Sequence, residues 1–261
     1  MEVLYGVHPV QEALRSRPRD LDHITVARER HDARLEALIQ ACRAAGVRIT
    51  QEPKAQLERI AKTPMHQGVI AFLRERKFLD LEDLLAIRKP AGERRFFLAL
   101  DGVEDPHNLG ALLRTADGAG VDGIILPERR SAPLTAVVAK SSAGASEHVR
   151  IAKVTNLVRA LERMKQENVW VIGLDERGTP DYTEFRFDTD CVLVLGSEGA
   201  GLHDLVKKTC DHLLRIPMAG KVSSLNVSVA GAVVMFEAMR QRRSPQAPAT
   251  VSPRKQKGLG S

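Results

Sequence analysis

The chain has 261 residues, 43% of them hydrophobic and only 4% aromatic, enough for one large or two smaller aliphatic cores. Three widely spaced cysteines, Cys42, Cys191 and Cys210, form no CxxC pair, which excludes a sequence-readable zinc site and a disulfide framework. The net charge of +6 is uneven: residues 240–261 hold six basic residues and no acid, residues 1–76 sum to +3, and residues 96–239 sum to −4.

No run approaches the ~18 apolar residues of a membrane span. The start, MEVLYGVHPVQEAL, lacks a basic segment followed by an apolar one, so a soluble cytoplasmic protein is expected. The basic balance invites a nucleic-acid partner, with the signal in the tail and, more weakly, in the first 76 residues.

In chain order, GVHPVQEALRS and HDARLEALIQACRAAG read as helices, and ITVA, VRIT and GVIAFL as strands, which predicts a small α/β domain over 1–76. KFLDLEDLLAIRKPAGERR (77–95) changes character at Pro90 and Gly92 and reads as a linker. Strands are then expected at 95–103, 123–127, 148–154, 169–176, 191–198 and 213–217. Helices are expected at 108–119, 134–140, 155–167, 202–209 and 226–240. Near-continuous aliphatic strands alternating with helices predict a parallel sheet covered on both faces, over 96–243. Residues 244–261, rich in Pro, Ser, Ala and Gly, read as a disordered basic tail.

In such sheets ligands bind beyond the carboxyl ends of the strands, here the loops 101–114, 196–202 and 217–226. In the first, Asn108 is placed to cap a helix. Arg114 sits between Leu113 and Thr115 in a small-sided apolar helix, so its guanidinium should meet a carboxylate or a phosphate. In the second, Glu198 stands among Gly196, Gly199 and Gly201. The order GxxGxG is a poor dinucleotide fingerprint, and no GxxxxGK[ST] occurs. In the third, KVSSLNVSVAGAVVMFEA opens a helix with four small polar residues where one cap would suffice. With Ile216 and Leu225 around it, that lining suits a flat heterocycle held by backbone hydrogen bonds.

Together, NLGALLRTADGAG, LVLGSEGAGL and IPMAGKVSSLNVSVAGAVVMFE resemble the three motifs of the SpoU (TrmH-type) branch of the SPOUT RNA 2′-O-methyltransferases, over roughly 96–240. YGVHPVQEAL and HQGVIA resemble the L30e-like substrate-binding domain of that family. SSAGASEHVRI adds a similarity to its RlmB-type members, which methylate a guanosine ribose in the peptidyl-transferase P loop of 23S rRNA. The resemblance implies a C-terminal trefoil knot, S-adenosylmethionine as cofactor, and a homodimer formed through the catalytic domain; His8, His107, His148 and the other histidines have no metal-ligand spacing, so no metal is expected. It casts Arg114, Asn108, Glu198, Ser224 and Asn226 as catalytic residues, and Gly196, Ile216 and Leu225 as cofactor contacts. The partner it implies is 23S rRNA or a ribosomal large-subunit precursor. Rival readings are a tRNA ribose methyltransferase of the same branch, a non-catalytic RNA-binding protein, and a nicotinamide-dependent oxidoreductase. The missing dinucleotide fingerprint disfavours the last.

Overall fold

A computed structural model describes residues 2–16, 18–30, 32–74 and 78–243; the expected tail, 244–261, lies outside them. The N-terminal elements are β1 (Glu2–Tyr5), α1 (Val7–Ser16), β2 (Leu21–Ala27), α2 (Ala33–Ala44), β3 (Arg48–Glu52), α3 (Lys54–Ala61) and β4 (Val69–Leu73). They form a four-stranded sheet in the order β1-β4-β2-β3, in which β2 and β3 run parallel and the other pairings are antiparallel. Asp32 caps α2 by accepting from the N–H groups of Arg34 and Leu35, and Leu35, Leu38 and Cys42 turn into the core. The sequence reading lacks β1 and α3. β1 has four residues, too few for a period, and α3 buries only Leu57.

The stretch expected as a linker is folded onto the next unit. Leu79 bridges to Ala152, and the short helix α4 (Leu81–Leu85) buries Leu84 and Leu85. Asp80 and Asp83 cap α4 reciprocally, each side chain accepting from the other's backbone N–H. An LxxLL pattern gives five residues an apolar face, and that face finds a sheet to cover.

The larger sheet contains β5 (Phe96–Asp101), β6 (Gly123–Pro127), β7 (Ile151–Val154), β8 (Trp170–Leu174), β9 (Cys191–Gly196) and β10 (His212–Leu214). Its order is β10-β8-β9-β5-β6-β7, and every pairing is parallel, as the unbroken aliphatic runs predict. The helices are α5 (Pro106–Gly118), α6 (Ala136–Ser141), α7 (Leu157–Gln166), α8 (Asp204–Thr209) and α9 (Val227–Arg243). Strand alternation divides the core into two layers. Phe96, Leu98 and Leu100 pack with α5 and α9 on one face, whereas Phe97 and Ala99 pack with α4, α7 and α8 on the other. β7 starts three residues later than expected, because Ala145–Glu147 forms a 3₁₀ turn and His148 instead meets Glu12, Nε2 to Oε2 at 2.8 Å. That contact and the donation of Lys140 Nζ to the Met65 carbonyl at 3.2 Å tie α6 and its turn to α1 and to the turn before β4.

Among the described residues no helix is long and apolar enough to cross a membrane, and no three His, Cys, Asp or Glu side chains converge as metal ligands.

Candidate functional site

β5 and β9 are central, adjacent and buried throughout, and their register sets Asp101 opposite Gly196. Three chain segments therefore meet at one edge of the sheet: the start of α5, the loop after β9, and the stretch from β10 to α9. Asn108 does not cap α5. Asp105 does, accepting from the N–H groups of His107 and Asn108, with Pro106 in the first turn where its missing N–H costs nothing. The cap leaves the Asn108 side chain free for another task. Buried in the first turn, its Nδ2 donates to Glu198 Oε2 at 3.1 Å. Asn226 Nδ2 in turn donates to Asn108 Oδ1 at 3.0 Å and to Glu198 Oε1 at 3.3 Å.

Asn226 stands immediately before α9, and its Oδ1 accepts from the Ser228 N–H at 2.9 Å and from Ser228 Oγ at 2.6 Å. One amide thus ends the last helix and joins the other two segments. Ser223 and Ser224 take no part in capping; they line a cleft of about 540 Å³ whose wall also includes Gly196, Glu198, Ile216 and Leu225.

Arg114 stands apart. It is exposed and has no hydrogen-bond or ion-pair partner among the described residues, so none of them supplies the anion expected for it. Helix geometry gives the reason: successive residues are about 100° apart, so Leu113 turns into the core while Arg114 turns to solvent. Of the eight expected site residues, Asn108, Glu198 and Asn226 form one hydrogen-bonded set, Ser224, Gly196, Ile216 and Leu225 share its cleft, and Arg114 reaches neither.

The cleft also holds an ion pair that the sequence reading did not single out. Asp175, just beyond β8, pairs with Lys207 of α8 at 2.5 Å, and both line the cleft. Burial opposes ionisation of Asp175, but the Lys207 ammonium and the Arg177 N–H outweigh it and hold the carboxyl below its usual range. The signal that singled out Glu198, an acid at the ligand end of a buried strand, was present here too.

The loop 196–201 closes on itself through reciprocal backbone bonds between Ser197 and Gly201, both 3.0 Å. A Cβ on Gly196 would be driven into the backbone of Gly201 and Leu202, which no rotamer change relieves. Gly196→Ala is therefore expected to weaken cofactor binding at least ~10-fold, since fitting it moves the cleft wall. Calorimetric titration checks this; an unchanged affinity would show that the wall does not touch the ligand.

Residues 95–236 match the SpoU rRNA methylase family, and residues 3–79 match the RNA 2′-O ribose methyltransferase substrate-binding family. The chain belongs to the SpoU rRNA methylase family. It is 42% identical over 248 residues to the 23S rRNA (guanosine-2′-O-)-methyltransferase RlmB of Vibrio vulnificus, covering 94% of this chain and 99% of that protein. Among solved structures it is similar to the SpoU methyltransferase AviRb from Streptomyces viridochromogenes in complex with AdoMet. That pair has a TM-score of 0.77 and 25% identity over 92% of this chain and 90% of that one. The AdoMet-bound rRNA methyltransferase from Sinorhizobium meliloti is also similar, with a TM-score of 0.76 and 27% identity over 92% and 87% of the two chains. As a SpoU protein, the chain gathers its motif residues beyond the carboxyl ends of the parallel strands, with Asn108 in the first turn of α5, Glu198 in the loop after β9 and Asn226 before α9, while Arg114 lies farther along α5.

Proposed function

We propose that this chain transfers the methyl group of S-adenosylmethionine to the ribose 2′-oxygen of a guanosine in 23S rRNA. The observation that carries the reading is the Asn108–Glu198–Asn226 set, whose Glu198 and Asn226 stand in the wall of a cleft of ligand size with Asn108 bonded behind them, in a family whose relatives bear that activity. The cleft fits the cofactor. Leu195, Ile216 and Leu225 offer apolar contact for a flat base, Asp175, Ser223 and Ser224 offer polar groups, and Gly196 lets backbone come close.

The cofactor supplies a methyl group already activated on a sulfonium, so the chain's own residues have to orient a ribose and handle one proton. Asn108 and Asn226, locked by their mutual bonds, hold the Glu198 carboxylate at the cleft, where it draws off the proton of the hydroxyl. Ser224 orients the ribose. Arg114 stays protonated and cannot act as a base; its guanidinium clamps the adjacent phosphate and stabilises the developing alkoxide.

For Arg114 to do so it has to meet a site that the described residues of its own chain do not offer. Gly118 lies one turn along the same face of α5 and faces Phe236, which is 45% exposed; Val229, on the same helix as Phe236, is 49% exposed. This apolar face is the proposed homodimer interface, and Arg114 at its rim would enter the partner's site. Residues 1–76 would form the L30e-like RNA-binding domain and 96–243 the catalytic domain, with the segment 215–226 threaded as the trefoil knot of the family. The proposed location is cytoplasmic.

Incubation with methyl-labelled S-adenosylmethionine and unmodified transcripts tests the substrate. Label is expected in 23S rRNA, in the peptidyl-transferase P loop, and not in tRNA. Label in tRNA alone would overturn the substrate and keep the reaction.

A further inference from the structure

A second cluster lies on the same sheet edge, outside the cleft. Asp101 closes β5 and is 6% exposed. Its Oδ2 accepts from the His203 N–H at 2.8 Å, and its Oδ1 lies 2.9 Å from His203 Nδ1. A carboxylate only accepts, so the ring donates to it from Nδ1, and a donor on the far side of the ring can be met only by Nε2 as acceptor. Arg130 Nη1 stands 3.3 Å from that Nε2, and arginine only donates. The three side chains form a directed line from a buried carboxylate, through an imidazole, to an exposed guanidinium. Arg130 adopts a φ of 57°, in the left-handed region that a non-glycine residue seldom enters.

What sets Arg130 apart is the partner it has. Several cations of this half are matched by carboxylates, Lys89 with Asp122 at 2.6 Å, Arg95 with Asp190 and Lys165 with Asp211 at 2.7 Å, whereas Arg130 faces an imidazole. Arg130 has no carboxylate partner among the described residues. An imidazole orients its guanidinium without cancelling its charge, and one of five donors is used. Residues 96–239 sum to −4, so a diffuse basic field cannot hold RNA here and single placed cations have to. The cluster also borders the reactive loop. A Cβ on Gly102 would touch both His203 Cε1 at 3.3 Å and the Cβ of Ser197 at 3.4 Å, and Ser197 precedes Glu198.

We propose that Arg130 binds a backbone phosphate of the RNA strand whose ribose enters the cleft, with His203 and Asp101 as its positioning residues. The inference rests on the RNA methyltransferase reading above. Its test compares full-length Arg130→Gln, Arg129→Gln, His203→Ala and His203→Gln on a 23S rRNA transcript. The readouts are cofactor affinity, kcat, KM for RNA, and the salt dependence of RNA binding. For Arg130→Gln, KM is expected to rise several-fold and the slope of log K against log salt to fall by about 0.7–0.9, one phosphate's worth. Cofactor affinity, which also reports folding, stays at the wild-type value, and the loss is confined to KM. His203→Ala reproduces part of the rise, and His203→Gln, which keeps an acceptor, restores most of it. Arg129→Gln removes the same charge from the neighbouring exposed position and does much less. Equal effects of Arg129→Gln and Arg130→Gln, or an unchanged slope in Arg130→Gln, would overturn the proposal. A wild-type chain that binds cofactor but methylates no RNA would instead sink the reading beneath it.

Discussion

Arg114→Ala is expected to bind S-adenosylmethionine within about twofold of the wild type while methyl transfer falls by ~10²–10³, the scale for removing one preorganised charge donor at a developing oxyanion. The geometry separates the two functions. Arg114 contributes nothing to the wall of the cleft and has, among the described residues, no partner whose loss would disturb the fold. Truncating an exposed, unpaired arginine normally changes stability by less than about 0.5 kcal/mol. A large loss of turnover therefore means that the guanidinium acts on a site assembled from elsewhere. Single-turnover transfer alongside calorimetric cofactor titration reads both quantities. Lost cofactor affinity with an intact fold would contradict the assignment.

Glu198→Ala is expected to damage both quantities at once. Its carboxylate accepts from Asn108 Nδ2 and from Asn226 Nδ2, and Asn108 is buried. Without it the Asn108 amide loses its acceptor, at a cost of about 1–3 kcal/mol. Asn226 Nδ2 retains Asn108 Oδ1 as its one acceptor, so the three segments lose one of their joints. Cofactor affinity should drop ~10- to 100-fold, and transfer further still. Glu198→Gln keeps one accepting oxygen but turns an amide donor towards the second donor, so it should recover only part of the affinity. If Glu198→Ala bound cofactor and transferred methyl groups normally, the hydrogen-bonded set would be structural decoration.

The strands were legible because each is a buried aliphatic run bounded by turn residues; β6 has the bounds its sequence predicts, and β5 and β9 differ by one to two residues. Their order was not legible. Nothing in CVLVLG says that it lies between β8 and β5, because neighbours in a parallel sheet are chosen by packing rather than by proximity in the chain. The site was legible where a residue type was out of place, as with Glu198 among glycines or Asn226 among serines. It failed where the test was exposure. Arg114 looked buried from its neighbours Leu113 and Thr115, but a helix gives adjacent residues different faces. Asn108 looked like a cap because the true cap, Asp105, is followed by a proline that resembles a loop residue. The Asp101–His203–Arg130 line was invisible for a third reason: 102 residues separate Asp101 from His203, and 73 separate His203 from Arg130.

The most direct test of the central claim is the chemical position of the methyl group. A 23S rRNA transcript methylated by the wild-type chain would be digested with alkali, which cleaves at every free 2′-hydroxyl. Methyl transfer to a ribose leaves all the label in a single alkali-resistant dinucleotide that begins with guanosine. Label released in mononucleotides would place the methyl on a base and contradict the 2′-oxygen as the acceptor.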